Sequence, residues 1–172
     1  MTFLNHKVDN KYSLSCNQKI PYQYSIFNDP KFISLHSQNY EKLFTYFLIE
    51  DKTQTCKGVI IFGKDSNNNL RSPLNGSFGG FQFCKNLYFE TKEKFINLLI
   101  NDLKNINPNS ILITLPPDIY NLENNTYQVS TFLRNKLLIE NIEINQYIDI
   151  KNYDLNKSVK SGNKKNIKKC IN

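Results

Sequence analysis

Residues 71–81, RSPLNGSFGGF, form the stretch of this chain whose residue types and spacing most suggest a binding role. They include three of the six glycines in the sequence, and glycine occurs where the backbone needs a positive φ or where another group approaches closely. Two interpretations are open. Gly79 and Gly80 could leave room for a substrate with Arg71 and Ser72 at its rim, or they could form a β-bulge or a close contact between a helix and the strand.

A second candidate set follows the apolar run ILITL at 111–115, which predicts a buried strand ended by two prolines. Asp118 and Tyr120 come just after it, and ligands of parallel sheets gather beyond the carboxyl ends of strands. The alternative is a stiff strand end in which Asp118 caps the next turn. Tyr147 and Asp149 lie on the polar face of a later alternating segment and are candidate substrate contacts, although solvent exposure or an interface to a second domain would also explain them.

Basic residues are concentrated at the end of the sequence. Residues 156–172 hold six lysines and no acid, whereas the rest of the chain has 16 basic and 15 acidic residues. Lys160, Lys164 and Lys165 are candidate phosphate ligands, for nucleic acid, a nucleotide or an anionic lipid head group. The same segment predicts a basic helix with a narrow apolar stripe that includes Ile167, and this stripe favours docking on a partner surface instead.

Composition excludes several classes of protein. The four cysteines are widely spaced, there is no CxxC, and there are only two histidines, which argues against a metal site or a disulfide framework and predicts buried, reduced thiols. Apolar runs reach eight residues at most, so no transmembrane segment is predicted. The first residues lack the uninterrupted apolar core of a secretory signal, and we therefore expect a cytoplasmic protein.

Hydrophobic periodicity and cap residues predict the elements that position these candidates. Strands are expected over residues 43–50, 57–63, 76–83, 111–115 and 142–150. Helices are expected after Asp29-Pro30, after a cap at Thr91, around 129–137, and from about 158. Short turns join the first three strands, which should be antiparallel, and helices separate the later ones, which should be parallel or mixed. The prediction is an α/β (α+β) fold with a mixed central sheet flanked by helices.

This order, an antiparallel meander followed by β-α-β-α-β, resembles the GNAT acyltransferase fold over almost the whole chain. Three short motifs resemble its FemAB-like branch. FNDPKFISLHS at 27–37 is similar to that branch's N-terminal helix entry, and RSPLNGSFGGF to a strand segment of a bacterial GNAT-like group. VKSGNKKNIKKC at 159–170 resembles the basic helix that follows the first GNAT half. The resemblance implies a GNAT-like domain over 1–155 and, at 156–172, a helix leading to a second domain.

The activity that this resemblance implies is transfer of an acyl or aminoacyl group to an amine, from acyl-CoA or aminoacyl-tRNA. Cofactor-binding GNAT domains hold the CoA pyrophosphate in an (R/Q)xxGx(G/A) loop at a helix N-terminus. The corresponding segment here, CKNLYFETKEK at 84–94, has no glycine and carries Glu90 and Glu93. We therefore expect this half to bind no acyl-CoA itself, with a second GNAT-like domain or a homologous chain as partner. No catalytic residue is indicated.

Two other classes of function stay open at this point. The chain could be a binding or scaffold module that has kept the fold without the chemistry, or a nucleic-acid-binding protein driven by its basic C-terminal segment.

Overall fold

The computed structural model describes residues 5–16 and 28–143. The chain divides into two compact units, residues 1–138 and 139–172. In the second unit only residues 139–143 are described, and they form neither helix nor strand. Most of the predicted strand over 142–150, the predicted basic helix and the expected boundary after residue 155 lie outside the described residues.

All the helices and strands of the described residues lie in the first unit. The strands are β1 (Asn5–Lys7), β2 (Tyr12–Cys16), β3 (Lys42–Glu50), β4 (Thr55–Lys64), β5 (Asn69–Ser72), β6 (Gln82–Phe83) and β7 (Ser110–Ile113). The helices are α1 (Pro30–His36), α2 (Phe89–Asn105) and α3 (Asp118–Arg134), and a single 3₁₀ turn, Ser37–Asn39, follows α1.

The described strands form one seven-stranded mixed sheet. Its order is β1-β2-β3-β4-β5-β7, and β6 also pairs with β4. Neighbours are antiparallel except β5 and β7, which are parallel. The connection between that parallel pair runs through β6 and α2. The predicted mixed sheet flanked by helices is confirmed, and the arrangement is consistent with a GNAT-like domain. Among the described residues, the predicted antiparallel pairing of the first strands and the parallel pairing of the later strand β7 are confirmed as well.

Two apolar clusters hold the sheet between its helices. The larger joins one face of the sheet to α2 and α3, with Phe95 and Leu99 among the α2 side chains and Phe132 from α3. The smaller lies against α1, where Ile33 packs on it. The helix start at Asp29-Pro30 is confirmed, because the Asp29 carboxylate accepts a hydrogen bond from the Lys31 amide at 2.7 Å.

Several predicted boundaries are wrong. Of the strand predicted over 76–83, only residues 82–83 are a strand, β6. The preceding strand, β5, is earlier in the chain than predicted. Helix α2 begins after Tyr88, so Thr91 is no cap; its hydroxyl donates to the Asp9 carboxylate at 3.0 Å. Helix α3 begins at Asp118, well before residue 129. Strands β1 and β2 were not predicted, because they have no clear apolar pattern of their own and depend on sheet pairing, β1 with β2 and β2 with β3.

Candidate functional site

Residues 73–81, here called the glycine loop, interrupt the strand that pairs with β4. Arg71 of β5 lies opposite Gly63, and continuing that register would place Asn75 opposite Val59. Gln82 lies there instead, so seven extra residues leave the sheet between β5 and β6. The unusual residues of RSPLNGSFGGF therefore belong to a large bulge rather than to a continuous strand.

The far end of the glycine loop is held by hydrogen bonds on both sides. The Gly79 amide donates to the Thr114 carbonyl, just after β7, at 2.7 Å. The Phe81 amide donates to Gln128 Oε1 at 2.7 Å, and the Phe81 carbonyl accepts from Gln128 Nε2 at 3.2 Å and from Asn124 Nδ2 at 2.9 Å. Side-chain amides of α3 thus pair with this backbone much as a neighbouring strand would.

The two adjacent glycines are required by packing. Gly80 has φ +84°, and a Cβ there would lie 2.6 Å from Leu115 Cδ2 and 2.8 Å from Gln128 Oε1. A Cβ on Gly79 would lie 2.6 Å from the Pro73 nitrogen. Ser72 is buried, and its hydroxyl accepts from the Gly80 amide at 3.4 Å. The space beside these glycines is therefore filled by the protein's own atoms, as in a close contact between helix and strand.

Arg71 lies apart from these glycines, in a polar cleft of about 400 Å³, here called the Arg71 cleft. The cleft is lined by Asn39, Tyr40, Asp65, Asn69, Leu70, Arg71, Asn75, Ser110 and Leu112. The Asp65 carboxylate accepts from the Asn67 and Asn69 amides at 2.9 Å, and these bonds, chiefly from Asn69, lower the pKa of Asp65. Arg71 is exposed, and its guanidinium makes no hydrogen bond or ion pair with any described residue.

A second cleft, of about 360 Å³, opens where the end of β6 meets the first turns of α2 and α3. This Lys92 cleft is lined by Phe83, Cys84, Lys85, Lys92, Tyr120, Glu123 and Asn124. It contains Tyr120, which the sequence places just beyond the carboxyl end of a strand. Asp118 is not among the lining residues, and its carboxylate instead accepts from Asn125 Nδ2 at 3.0 Å.

Lys92 is the most unusual side chain of this cleft, because it is only 6% exposed. Its ammonium lies 5.4 Å from the ring centroid of Tyr127 and 5.7 Å from that of Phe83. These distances are within the range of cation–π attraction. Within the part of the chain that the structure describes, no carboxylate lies within ion-pairing distance of it. The cleft therefore contains a positioned cation that has no counter-ion among residues 5–16 and 28–143.

The sequence places Glu90 and Glu93 at the start of the helix where a cofactor phosphate would lie, and the structure puts both in the first five residues of α2. Glu93 forms an ion pair with Arg134 of α3 at 2.6 Å, and Glu90 is exposed in the first turn of α2. Neither lines the Lys92 cleft. Lys85, Lys92 and Glu123 are the charged residues that line it. The segment between β6 and α2 still has no glycine.

Lys85, Lys92 and Glu123 were not predicted as site residues. One signal in the sequence could have found Lys92, which lies three, four and seven residues before Phe95, Ile96 and Leu99 and so shares the buried face of α2. A lysine in that register must bury its stem. Nothing comparable marks Lys85 or Glu123, which are exposed side chains brought to the cleft by the fold.

The remaining sequence expectations concern thiols, metals and membranes. Cys16, Cys56 and Cys84 are free thiols; Cys16 is buried, whereas Cys84 is exposed, contrary to the prediction of buried thiols. Burial raises the pKa of both Cys16 and Cys56 to about 11. Residues 5–16 and 28–143 contain no group of three His, Cys, Asp or Glu that could hold a metal ion. Over the same ranges no helix has the length and apolar character to cross a bilayer.

The other predicted site residues lie outside the described residues; they are Tyr147, Asp149, Lys160, Lys164 and Lys165.

Comparison with protein-family models, with curated proteins and with solved structures finds no match to this chain. The residues and the geometry of the chain itself therefore carry the functional conclusion.

Proposed function

We propose that this chain is the N-terminal half of a FemAB-like transferase of the GNAT type, which moves an acyl or aminoacyl group to an amine. The observation that carries the proposal is the sheet order. An antiparallel meander ends in β5, the chain crosses through α2 to the parallel strand β7, and α3 follows. This order resembles that of the GNAT fold, and the motifs at 27–37 and 71–81 add the resemblance to its FemAB-like branch.

The donor, acyl-CoA or aminoacyl-tRNA, is expected to be held mainly by a second GNAT-like domain or a homologous chain. A pyrophosphate is bound by backbone amides that it can approach closely, which glycines permit. Residues 84–88 contain none, and the ring of Phe89, the first residue of α2, packs on Tyr127 with centroids 4.4 Å apart. Beside Gly80, Leu115 and Gln128 fill the room that a ligand would need.

Calorimetric titration with acetyl-CoA tests whether the donor is bound by a domain other than this one. We expect no affinity tighter than about millimolar for the 172-residue chain, and micromolar affinity would contradict this expectation.

Activity is tested with the full product of the gene. We expect it to transfer a labelled acyl group from acyl-CoA, or a labelled amino acid from aminoacyl-tRNA, to an amine. Failure with both donors would rule out the proposed activity.

A binding or scaffold module that lacks the chemistry is the second candidate, and one observation favours it. Ser72, Gly79 and Gly80, which in the sequence suggest a substrate rim, make internal contacts in the fold. Such a module would bind a ligand without transferring any group. Nucleic-acid binding through the basic segment also stays a prediction; it should weaken steeply with salt and vanish when residues 157–172 are deleted.

A further inference from the structure

The Lys92 cleft is lined by charges of both signs that are not paired with each other. Lys85 follows β6, Lys92 belongs to α2, and Glu123 belongs to α3. With respect to the residues that the structure describes, none of these three side chains makes a hydrogen bond or an ion pair, so the lysines and the carboxylate lie more than 4.0 Å apart. The separation leaves room for a ligand group between them.

Two features make an anion favourable next to Lys92. Removing an ammonium group from water is costly unless an opposite charge or hydrogen bonds replace the water, and the rings of Phe83 and Tyr127 supply only part of that replacement. Lys92 is also the fourth residue of α2, near the positive end of the helix dipole, where a cation is disfavoured and an anion is stabilised. A ligand carboxylate at this position would compensate both effects.

Glu123 makes a purely anionic ligand a poor match. Its exposed carboxylate lines the same cleft and would repel a second negative charge, whereas it would attract an ammonium group. A ligand that carries both groups satisfies both sides. The cleft, of about 360 Å³, is of a size for a small molecule, and the rings of Phe83 and Tyr120 offer apolar contact to its remaining atoms.

We infer that the Lys92 cleft binds a small zwitterion, an amino acid or a short peptide with a free ammonium and a free carboxylate group. Lys92, assisted by Lys85, binds the carboxylate, and Glu123 binds the ammonium. That this zwitterion is the amine acceptor of the transfer rests on the proposed function. The binding itself does not.

Three matched probes test the charge requirement: L-phenylalanine, N-acetyl-L-phenylalanine, which lacks the ammonium, and L-phenylalaninamide, which lacks the carboxylate. Chemical-shift titration of the 172-residue chain should show millimolar binding of L-phenylalanine. Each derivative should bind at least about tenfold more weakly, because it has lost one of the two charged groups that the cleft binds. Equal binding of the acetylated probe would indicate a plain anion site and overturn the inference, as would equal binding of the amide or no binding of L-phenylalanine.

Matched substitutions assign the binding to this cleft. Lys92→Met and Glu123→Gln should each weaken L-phenylalanine binding about tenfold or more. Lys94→Met and Glu90→Gln change exposed charges of the same helix outside the cleft and should leave it within about twofold. Equal losses in the controls would overturn the assignment. Because Glu123 is exposed, Glu123→Gln keeps the test decisive even where Lys92→Met does not fold.

The outcomes separate this site from the proposed function. If the gene product binds the zwitterion but transfers no group from either donor, the binding site is supported and the transferase activity is contradicted. If it transfers a group but binds no zwitterion, the transferase activity is supported and the binding site is contradicted.

Discussion

The glycine loop and the Lys92 cleft both contact α3, but they differ in what their polar groups do. In the glycine loop, Gly79, Gly80 and Phe81 form hydrogen bonds with Thr114, Ser72, Gln128 and Asn124. In the Lys92 cleft, two lysines and a glutamate line an open space without bonding one another. An unusual residue pattern can therefore mark a constraint on the backbone, whereas binding capacity depends on which groups the fold leaves uncommitted.

The largest effect on stability is expected from a substitution in the glycine loop. Gly80→Ala forces a side chain into a left-handed backbone conformation and places its Cβ against Leu115 and Gln128. We expect a loss of about 2–4 kcal/mol in the free energy of unfolding, measured by urea denaturation. Gly76→Ala, at a half-buried position of the same loop with negative φ, should change it by no more than about 0.5 kcal/mol. Equal effects at the two positions would contradict the packing role of Gly80.

A smaller loss of stability is expected from removing a hydrogen bond between α3 and the glycine loop. Gln128→Leu removes the acceptor of the buried Phe81 amide, while Asn124 still donates to the Phe81 carbonyl. Leaving one buried donor without a partner should cost about 1–3 kcal/mol of unfolding free energy. Thr126→Ala, on the exposed face of the same helix, is the matched control, with a change of about 0.5 kcal/mol at most. A stable Gln128→Leu protein would show that the loop is held by other contacts.

The smallest effect on stability is expected in the cleft. Lys92→Met keeps the apolar stem between Phe83 and Tyr127 and removes a buried cation near the positive end of α2. The lost cation–π attraction and the relieved desolvation oppose each other, so the free energy of unfolding should stay within about 1 kcal/mol of its original value. Thermal and urea denaturation measure it. A loss above about 2 kcal/mol would give Lys92 a structural role like that of Gln128.

Sequence patterns predicted the parts of the fold whose stability comes from apolar burial. Strands β3 and β4 and the apolar stripe of α2 are of this kind, and the Asp29-Pro30 start of α1 follows from local capping. The first part of α3 could not be found in this way, because amides fill its buried face. Asn124, Asn125 and Gln128 are buried there, and two of them bond the glycine loop, a partner that only the fold supplies.

The candidate site was only partly predictable for a similar reason. Arg71 and Tyr120 were identified from the sequence, but the fold places them in two different clefts. Lys92 carries a signal in its register with Phe95, whereas Glu123 reaches the cleft only because α3 packs against α2. Exposed charges have no periodicity that distinguishes a ligand contact from a solvated surface.

The reactivity of Cys84 tests most directly whether ligands bind in the Lys92 cleft. Cys84 is exposed and lines it, whereas Cys16 is buried with its pKa raised to about 11 and serves as an internal reference. The measurement is the rate of alkylation by neutral iodoacetamide, in a Cys170→Ser background, with and without saturating L-phenylalanine. We predict a severalfold slower reaction of Cys84 with the ligand, and no slowing in Lys92→Met. An unchanged Cys84 rate at saturation would contradict the account.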